Sequence, residues 1–359
     1  MNNSFITPII KVTDYCNYNC QFCYYAQKKK QLTNHIMPIS FAKDIISSIV
    51  HINILKGNYV NHIIFHGGEP LLAGLPYYEE LIAFEKKLKK HFPSISFENS
   101  IETNGYLLDD GWIKFFRDNN FGVGISIDGP TKMNYHKCSF DDLTSEIKVL
   151  SNIKRMNELR APFGVMSVIT DRHLDFAHEL YDFYINNNIH NVGFCYCFNH
   201  DTKDSVNPEK LVLFLEEFFD LFYYGSYQLR VREFEECIKR ILGKQNNLCL
   251  FCNRNRCGNY PTIDSDGNVF FCDFGTEKDK AIGNIIEDSL IAIIDSDRWI
   301  RETENARAMI SQKCSRCKDN EICGKICYRS DIKTNDSEKR NYFCKVYPKI
   351  LRYIEAKIK

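Results

Sequence analysis

Cys16, Cys20 and Cys23 stand in the order C-x-x-x-C-x-x-C, directly after a short apolar run, Ile9 to Thr13, that reads as a first strand. Three thiolates can hold a cuboidal [4Fe-4S] cluster. Such a cluster normally takes four cysteine ligands, so a missing fourth leaves one iron open for a small molecule to bind and react. A zinc site is the other chemistry open to a C-x-x-C pair, but no fourth ligand stands close by in sequence.

Three further stretches carry groups that could serve such a centre. Phe65-His66-Gly67-Gly68-Glu69-Pro70 ends a second apolar run; its glycines allow close backbone approach, and its carboxylate can take a charged amino group. Glu102-Thr103-Asn104-Gly105 and Ser126-Ile127-Asp128-Gly129-Pro130 close the third and fourth runs. Strand C-termini are where barrel enzymes place their sites, although Asn-Gly and Asp-Gly also serve simply as turns. His66 and the pair Cys195 and Cys197 could point inward, which strand alternation alone does not decide.

The chain has 359 residues, with 46 Lys and Arg against 46 Asp and Glu and a formal net charge of zero. No global field argues for nucleic acid or an anionic membrane. There is no secretion-type leader and no run long enough to span a bilayer, so a cytoplasmic protein is expected. Sixteen cysteines in a reducing compartment point to metal sites rather than disulfides. Nine of them fall between Cys249 and Cys344; Cys138, Cys195, Cys197 and Cys237 are scattered and are expected to be buried as small apolar residues.

The elements that must position these groups alternate in type. Strand-like runs at Ile9 to Thr13, His62 to His66, Ser96 to Thr103, Gly122 to Ile127, Phe163 to Ile169 and Asn191 to Phe198 are separated by amphipathic segments. These segments are Phe41 to Ile54, Tyr77 to His91, Asp110 to Asn119, Leu143 to Arg155, Leu174 to Ile185 and Pro208 to Phe222. Such alternation predicts parallel strands with right-handed helical crossovers. A charged helical stretch, Leu229 to Asn247, then gives way to short cysteine-punctuated segments. Tyr260 to Cys272 reads as a hairpin turning at Asp266-Gly267, and a terminal basic helix is expected from about Val346.

The cysteine triplet, G-G-E-P, T-N-G and S-I-D-G-P together resemble the radical S-adenosylmethionine superfamily. The resemblance implies an α/β fold, a partial (β/α)6 TIM barrel, with the triplet holding a cluster whose open iron chelates S-adenosylmethionine. It implies that Phe22 packs near adenine, that Gly67, Gly68 and Glu69 receive the methionyl amine, and that Thr103, Asn104, Ser126 and Asp128 face the cofactor. Cys257 is followed by nine residues, Gly267, four residues and Cys272; then come Cys314-x-x-Cys317, five residues, Cys323, three residues, Cys327 and finally Cys344. This array is similar to the SPASM extension, a small cysteine-rich domain with two auxiliary [4Fe-4S] clusters, which gives three clusters in all.

By resemblance to sulfatase-maturing enzymes, Cys257, Cys272, Cys327 and an upstream cysteine, Cys252 or alternatively Cys249, hold the first auxiliary cluster. Cys314, Cys317, Cys323 and Cys344 hold the second. Paired zinc knuckles are the alternative use of such spacings. Asp273 resembles the proposed base of those enzymes; a carboxylate there could take a proton or simply cap a loop. The expected organisation is a barrel over residues 1–235, a SPASM domain over 236–345 and a C-terminal helix over 346–359.

The resemblance implies an oxidoreductase that cleaves S-adenosylmethionine to a 5'-deoxyadenosyl radical and oxidatively modifies a residue in a peptide or protein, with a flavodoxin or ferredoxin as electron donor. Two substrates compete: a ribosomally made precursor peptide receiving a thioether or carbon-carbon crosslink, and a sulfatase whose cysteine or serine becomes formylglycine. After S-I-D-G-P the maturases usually carry a histidine-aspartate pair, a nearby arginine and a glycine-containing tract, whereas residues Thr131 to Phe140 read TKMNYHKCSF, which tilts the expectation toward the precursor peptide. The early first strand leaves no room for the winged-helix module many precursor-peptide maturases carry, so recognition is expected at the barrel mouth, the SPASM domain or a partner. A multi-cluster electron carrier is the reading from another class, and it has no need of an amino-acid pocket such as G-G-E-P would form.

Overall fold

A computed structural model describes residues 5–20, 23, 35–134, 145–197, 204–244, 256–273, 276, 278–308, 316–323 and 342–359. The chain forms two compact units. One comprises Met1–Ser126, His136–Phe163 and Arg256–Asn305; the other comprises Ile127–Tyr135, Gly164–Asn255 and Ala306–Lys359.

In the first unit, β1 (Ile9–Thr13), α1 (Ile39–Leu55), β2 (Val60–Gly67), α2 (Leu75–His91), β3 (Ser96–Thr103), α3 (Asp110–Asp118) and β4 (Gly122–Ser126) follow one another as expected. β1 to β4 are parallel and sequential, with Ile10 opposite Phe65, Phe65 opposite Ile101, and Ile101 opposite Val123. In β2 the burial alternates residue by residue: Asn61, Ile63, Phe65 and Gly67 are buried, while His62, Ile64 and His66 are half-buried on the other face. α1 buries Ala42, Ile45, Ile46, Ile49 and Val50 at helical spacing. Asp109 caps α3 by accepting the Trp112 N–H at 2.9 Å.

The second unit opens with a short helix α4 (Thr131–Asn134); α5 (Ser145–Glu158) belongs to the first. The second continues with β5 (Gly164–Ile169), α6 (Ala177–Asn186), β6 (Asn191–Tyr196), α7 (Pro208–Tyr224), β7 (Arg230–Val231) and α8 (Arg232–Ile241). The charged stretch read as one helix begins with the two residues of β7, which pair with β6. Phe194, Phe214, Phe218, Phe219 and Phe234 fill the core of this unit. All six βα repeats of the partial barrel are therefore present.

The hairpin forms from β8 (Thr262–Ile263) and β9 (Asn268–Phe270), with Gly267 at φ +84° in the turn. Asp264 Oδ1 accepts the N–H groups of Asp266 and Asn268, which shapes the loop. Its outer neighbour is β10 (Gly283–Asn284). The spacing of residues did not announce that β8 also pairs in parallel with β1, Ile9 opposite Thr262 and Ile10 opposite Ile263. The strand order of this unit is thus β10-β9-β8-β1-β2-β3-β4. An open β1 edge would leave its N–H and C=O groups unpaired, and the hairpin covers it.

Beyond it lie α9 (Leu290–Ile294), α10 (Asp297–Ala308), α11 (Asn320–Cys323) and α12 (Tyr342–Ile358). The terminal helix begins four residues before Val346, so Cys344 rides on its first turn. Of the scattered cysteines, Cys197 and Cys237 are buried as expected, whereas Cys195 is exposed, being next to last on the open face of β6. Cys138 lies outside the described residues. No helix among the described residues is long and apolar enough to cross a membrane.

Candidate functional site

Cys16, Cys20 and Cys23 occupy the loop that leaves β1, all half-buried. The loop curls around the first thiol: the Tyr18 N–H donates to Cys16 Sγ at 3.3 Å, and Asn104 Nδ2 approaches the same sulfur at 3.8 Å. Burial, and then the Glu69 carboxylate, push the Cys16 thiol up to about 12. It holds its proton until a metal displaces it. Among the described residues no three His, Cys, Asp or Glu side chains converge on a single ion position. Three thiols on one loop suit a cuboidal cluster, in which each thiolate takes its own iron.

The G-G-E-P turn is seated on this loop. Gly67, at φ +134°, and Gly68 lie so close to the chain that a Cβ on either would run into the carbonyl oxygen of Thr13 or Tyr15. Gly68 N–H donates to Thr13 O at 2.7 Å and Glu69 N–H to Tyr15 O at 2.9 Å. The chain that passes closest to these glycines on their Cβ side is the segment leading into Cys16.

Glu69 is fully buried. Its Oε1 accepts from the Leu71 N–H at 3.0 Å and the Thr103 hydroxyl at 2.8 Å, and its Oε2 accepts the Asn104 N–H at 2.8 Å. Burial nonetheless raises its carboxyl to about 7, outweighing the three hydrogen bonds. A carboxylate has about four acceptor positions, so one remains. Asn104 Nδ2 donates to Asn17 Oδ1 at 2.8 Å, while Asn17 Nδ2 is buried with no partner among the described residues. An acceptor with room for one more donor and an amide awaiting an acceptor, beside Cys16, fit the ammonium and carboxylate of an amino acid.

Thr103 and Asn104 thus act through Glu69 and Asn17. Ser126 ends β4, half-buried. Asp128 falls in the second unit, wholly buried: its Oδ1 accepts the Val168 N–H at 2.7 Å, its N–H donates to Asn134 Oδ1 at 3.0 Å, and its carbonyl lies 2.9 Å from His173 Nε2. The carboxylate braces β5. Phe22, Cys249, Cys252, Cys314 and Cys327 lie outside the described residues.

Cys257 and Cys272 are both half-buried in the first unit, Cys272 directly behind β9. Asp273, next in the chain, forms an ion pair with Lys11 of β1, Nζ to Oδ1 at 2.8 Å; the lysine side chain is 1% exposed and the aspartate 32%. Lys11 stands opposite His66 in the β1–β2 register. His66 Nδ1 accepts the Gly67 N–H at 2.6 Å. Burial lowers the His66 pKa, offset by Asp273 and reinforced by Lys11. Motif reading passes over Lys11. Its signal is a lone lysine inside the apolar run IIKVT.

In the second unit Cys317 and Cys344 are exposed and Cys323 is buried. Asp319, ahead of α11, is ion-paired with Arg352 of α12, and the Cys323 N–H donates to Asp319 O at 2.7 Å. The helix bearing Cys323 is thereby tied to the helix bearing Cys344.

Residues 10–172 match the model of the Radical SAM superfamily, and residues 249–318 match SPASM, an iron-sulfur cluster-binding domain. The chain belongs to the radical SAM superfamily. As a radical SAM enzyme with a SPASM domain it is a modifying enzyme that uses S-adenosylmethionine and [4Fe-4S] clusters. It is 26% identical over 355 residues to the cysteine-type anaerobic sulfatase-maturating enzyme of Clostridium perfringens strain 13, covering 94% of this chain and 93% of that one. To the cysteine-type enzyme of Clostridium novyi it is 29% identical, covering 92% and 90%.

Among solved structures, anSMEcpe with bound AdoMet and the Cp18Cys peptide matches the radical SAM fold with a TM-score of 0.84 at 24% identity, covering 98% of this chain and 99% of that one. Streptococcus suis SuiB bound to the precursor peptide SuiA matches with 0.65 at 19%, covering 93% and 74%.

Proposed function

We propose that this radical SAM enzyme oxidises a single cysteine or serine side chain in a polypeptide substrate to an aldehyde, the formylglycine-forming reaction. The observation that carries the reading is Asp273: a carboxylate one-third exposed, adjoining Cys272 and gripped by a buried ammonium. Alignment with the maturases along almost the whole of both chains supports it, against the partial coverage of SuiB.

In this reading Cys16, Cys20 and Cys23 hold the S-adenosylmethionine-binding cluster. Cys252, Cys257, Cys272 and Cys327 hold one auxiliary cluster, and Cys314, Cys317, Cys323 and Cys344 the other. Glu69 receives the methionyl ammonium and Asn17 offers its amide to the carboxylate. When bound, the cofactors supply a hydrogen-atom abstractor and an acceptor for the electron left on the substrate. Asp273 takes the proton that must leave the thiol or hydroxyl as the carbon–heteroatom double bond forms; serine then gives the aldehyde directly, whereas cysteine gives a thioaldehyde that water hydrolyses to the aldehyde with release of hydrogen sulfide. A flavodoxin or ferredoxin feeds the first cluster.

The departure at Thr131 to Phe140 favours a second reading, a crosslink within a precursor peptide. One experiment separates them. After anaerobic reconstitution, with about twelve irons per chain, dithionite and the Cp18Cys peptide should yield 5'-deoxyadenosine, methionine and a peptide aldehyde captured by a hydrazide. S-adenosylmethionine cleavage with no carbonyl product rejects the aldehyde reading, and a Cys16, Cys20 and Cys23 triple alanine variant should lose cleavage yet keep about two-thirds of the iron.

A further inference from the structure

Lys11 is the one charged residue in an otherwise apolar strand, between Ile10 and Val12, both fully buried. Placing an ammonium there is costly, and ion pairs in such settings seldom stabilise a fold more than a well-packed apolar side chain would. A methionine would fill the space without that penalty. What a lysine adds is a fixed point for a carboxylate. The pair joins β1, the strand that leads into the cysteine triplet, to the residue that follows Cys272, and the β1–β8 pairing already holds the two segments in register.

His66 stands opposite Lys11 in the β1–β2 register. Lys11 Nζ lies 2.8 Å from Oδ1, while the Asp273 side chain stays one-third exposed. We infer that Lys11 is a positioning residue for the oxidation: it holds Asp273 in one orientation, so that the carboxylate meets the substrate already aligned. The inference rests on the reading of Asp273 as the proton acceptor. Its consequence is coupling. A loosened carboxylate lets the reactive intermediate on the substrate decay before the proton is lost.

The test uses the reconstituted holoenzyme, the Cp18Cys peptide, and variants Lys11→Met and Lys11→Arg. The readout is aldehyde formed per 5'-deoxyadenosine released. Lys11→Met should lower this ratio roughly tenfold to hundredfold, with little change in the peptide KM, and Lys11→Arg should recover part of it. An unchanged ratio in Lys11→Met overturns the inference, as does a parallel fall of both products, which marks a merely structural lysine. Urea midpoints of Lys11→Met, Asp273→Asn and the double variant supply a second measure. Asp273→Asn should lower the midpoint further when Lys11 is present than when methionine replaces it, and additive shifts overturn the inference. Should the wild-type enzyme cleave S-adenosylmethionine without touching the peptide, the substrate reading falls, and the urea cycle still decides whether Lys11 and Asp273 act together.

Discussion

The backbone N–H of Asn104 donates to Glu69 Oε2 at 2.8 Å, and the same residue's side chain donates to Asn17 Oδ1 at 2.8 Å. One asparagine therefore ties the G-G-E-P turn to the cysteine loop. Any change that moves Glu69 is felt at Cys16, because the links are short, partly buried and made by the backbone and side chain of a single residue.

Glu69→Gln should weaken S-adenosylmethionine binding and flatten its pH dependence. A glutamine cannot accept from all three donors: its NH2 must face one of the N–H or O–H groups, at a cost of about 1–3 kcal/mol. In the wild-type chain burial holds the carboxyl near about 7. An ammonium needs the ionised form, so binding takes up a protonated site below that value and must release a proton. Affinity should therefore fall by up to about tenfold per pH unit as pH drops below about 7 and level off above it. Calorimetry of anaerobically reconstituted protein across this range checks both the slope and its loss in the variant.

Gly68→Ala should empty the first cluster and spare the others. The added Cβ meets the Tyr15 carbonyl, which is backbone and cannot swing aside. The turn must lift off the loop, costing about 1–3 kcal/mol, and the triplet loses its seat. Iron content should drop by roughly a third. Gly164→Ala is the control, since a Cβ there meets the Asn191 carbonyl at an ordinary 3.4 Å. Equal iron in the two variants contradicts the prediction.

Glu85 on α2 reports on stability alone. It is 4% exposed, Asn99 Nδ2 donates to its oxygens at 3.1 and 2.9 Å, and burial raises its carboxyl from 4.5 to about 7. A pKa raised on folding means that the folded chain binds the proton more tightly. The stabilisation is complete below the unfolded value and is lost as pH rises through about 7, up to about 3 kcal/mol in all. Glu85→Gln should remove that slope: its melting temperature should change less between about pH 5 and about pH 8 than the wild type does. A slope identical to the wild type would show that Glu85 does not titrate with folding.

The alternation of β1 to α7 was legible in the residues because strand and helix periods are local and repeat many times within each run. The cysteine spacings and the motifs G-G-E-P and T-N-G were legible for the same reason, each carried by neighbours in the chain. Cys195 was misjudged because burial of a single residue near a strand end depends on what packs over it, which no period encodes.

By itself, then, the sequence determined the six βα repeats, the hairpin and the groups available for chemistry. Only the tertiary structure decided what those groups do to one another. Gly67 and Gly68 make room for Thr13 and Tyr15, the Thr103 hydroxyl donates to Glu69, and Lys11 meets Asp273. Each of these contacts joins segments distant in the chain, where spacing carries no information and only the packing of β1 against β2 and β8, and of β2 against β3, brings the partners within reach.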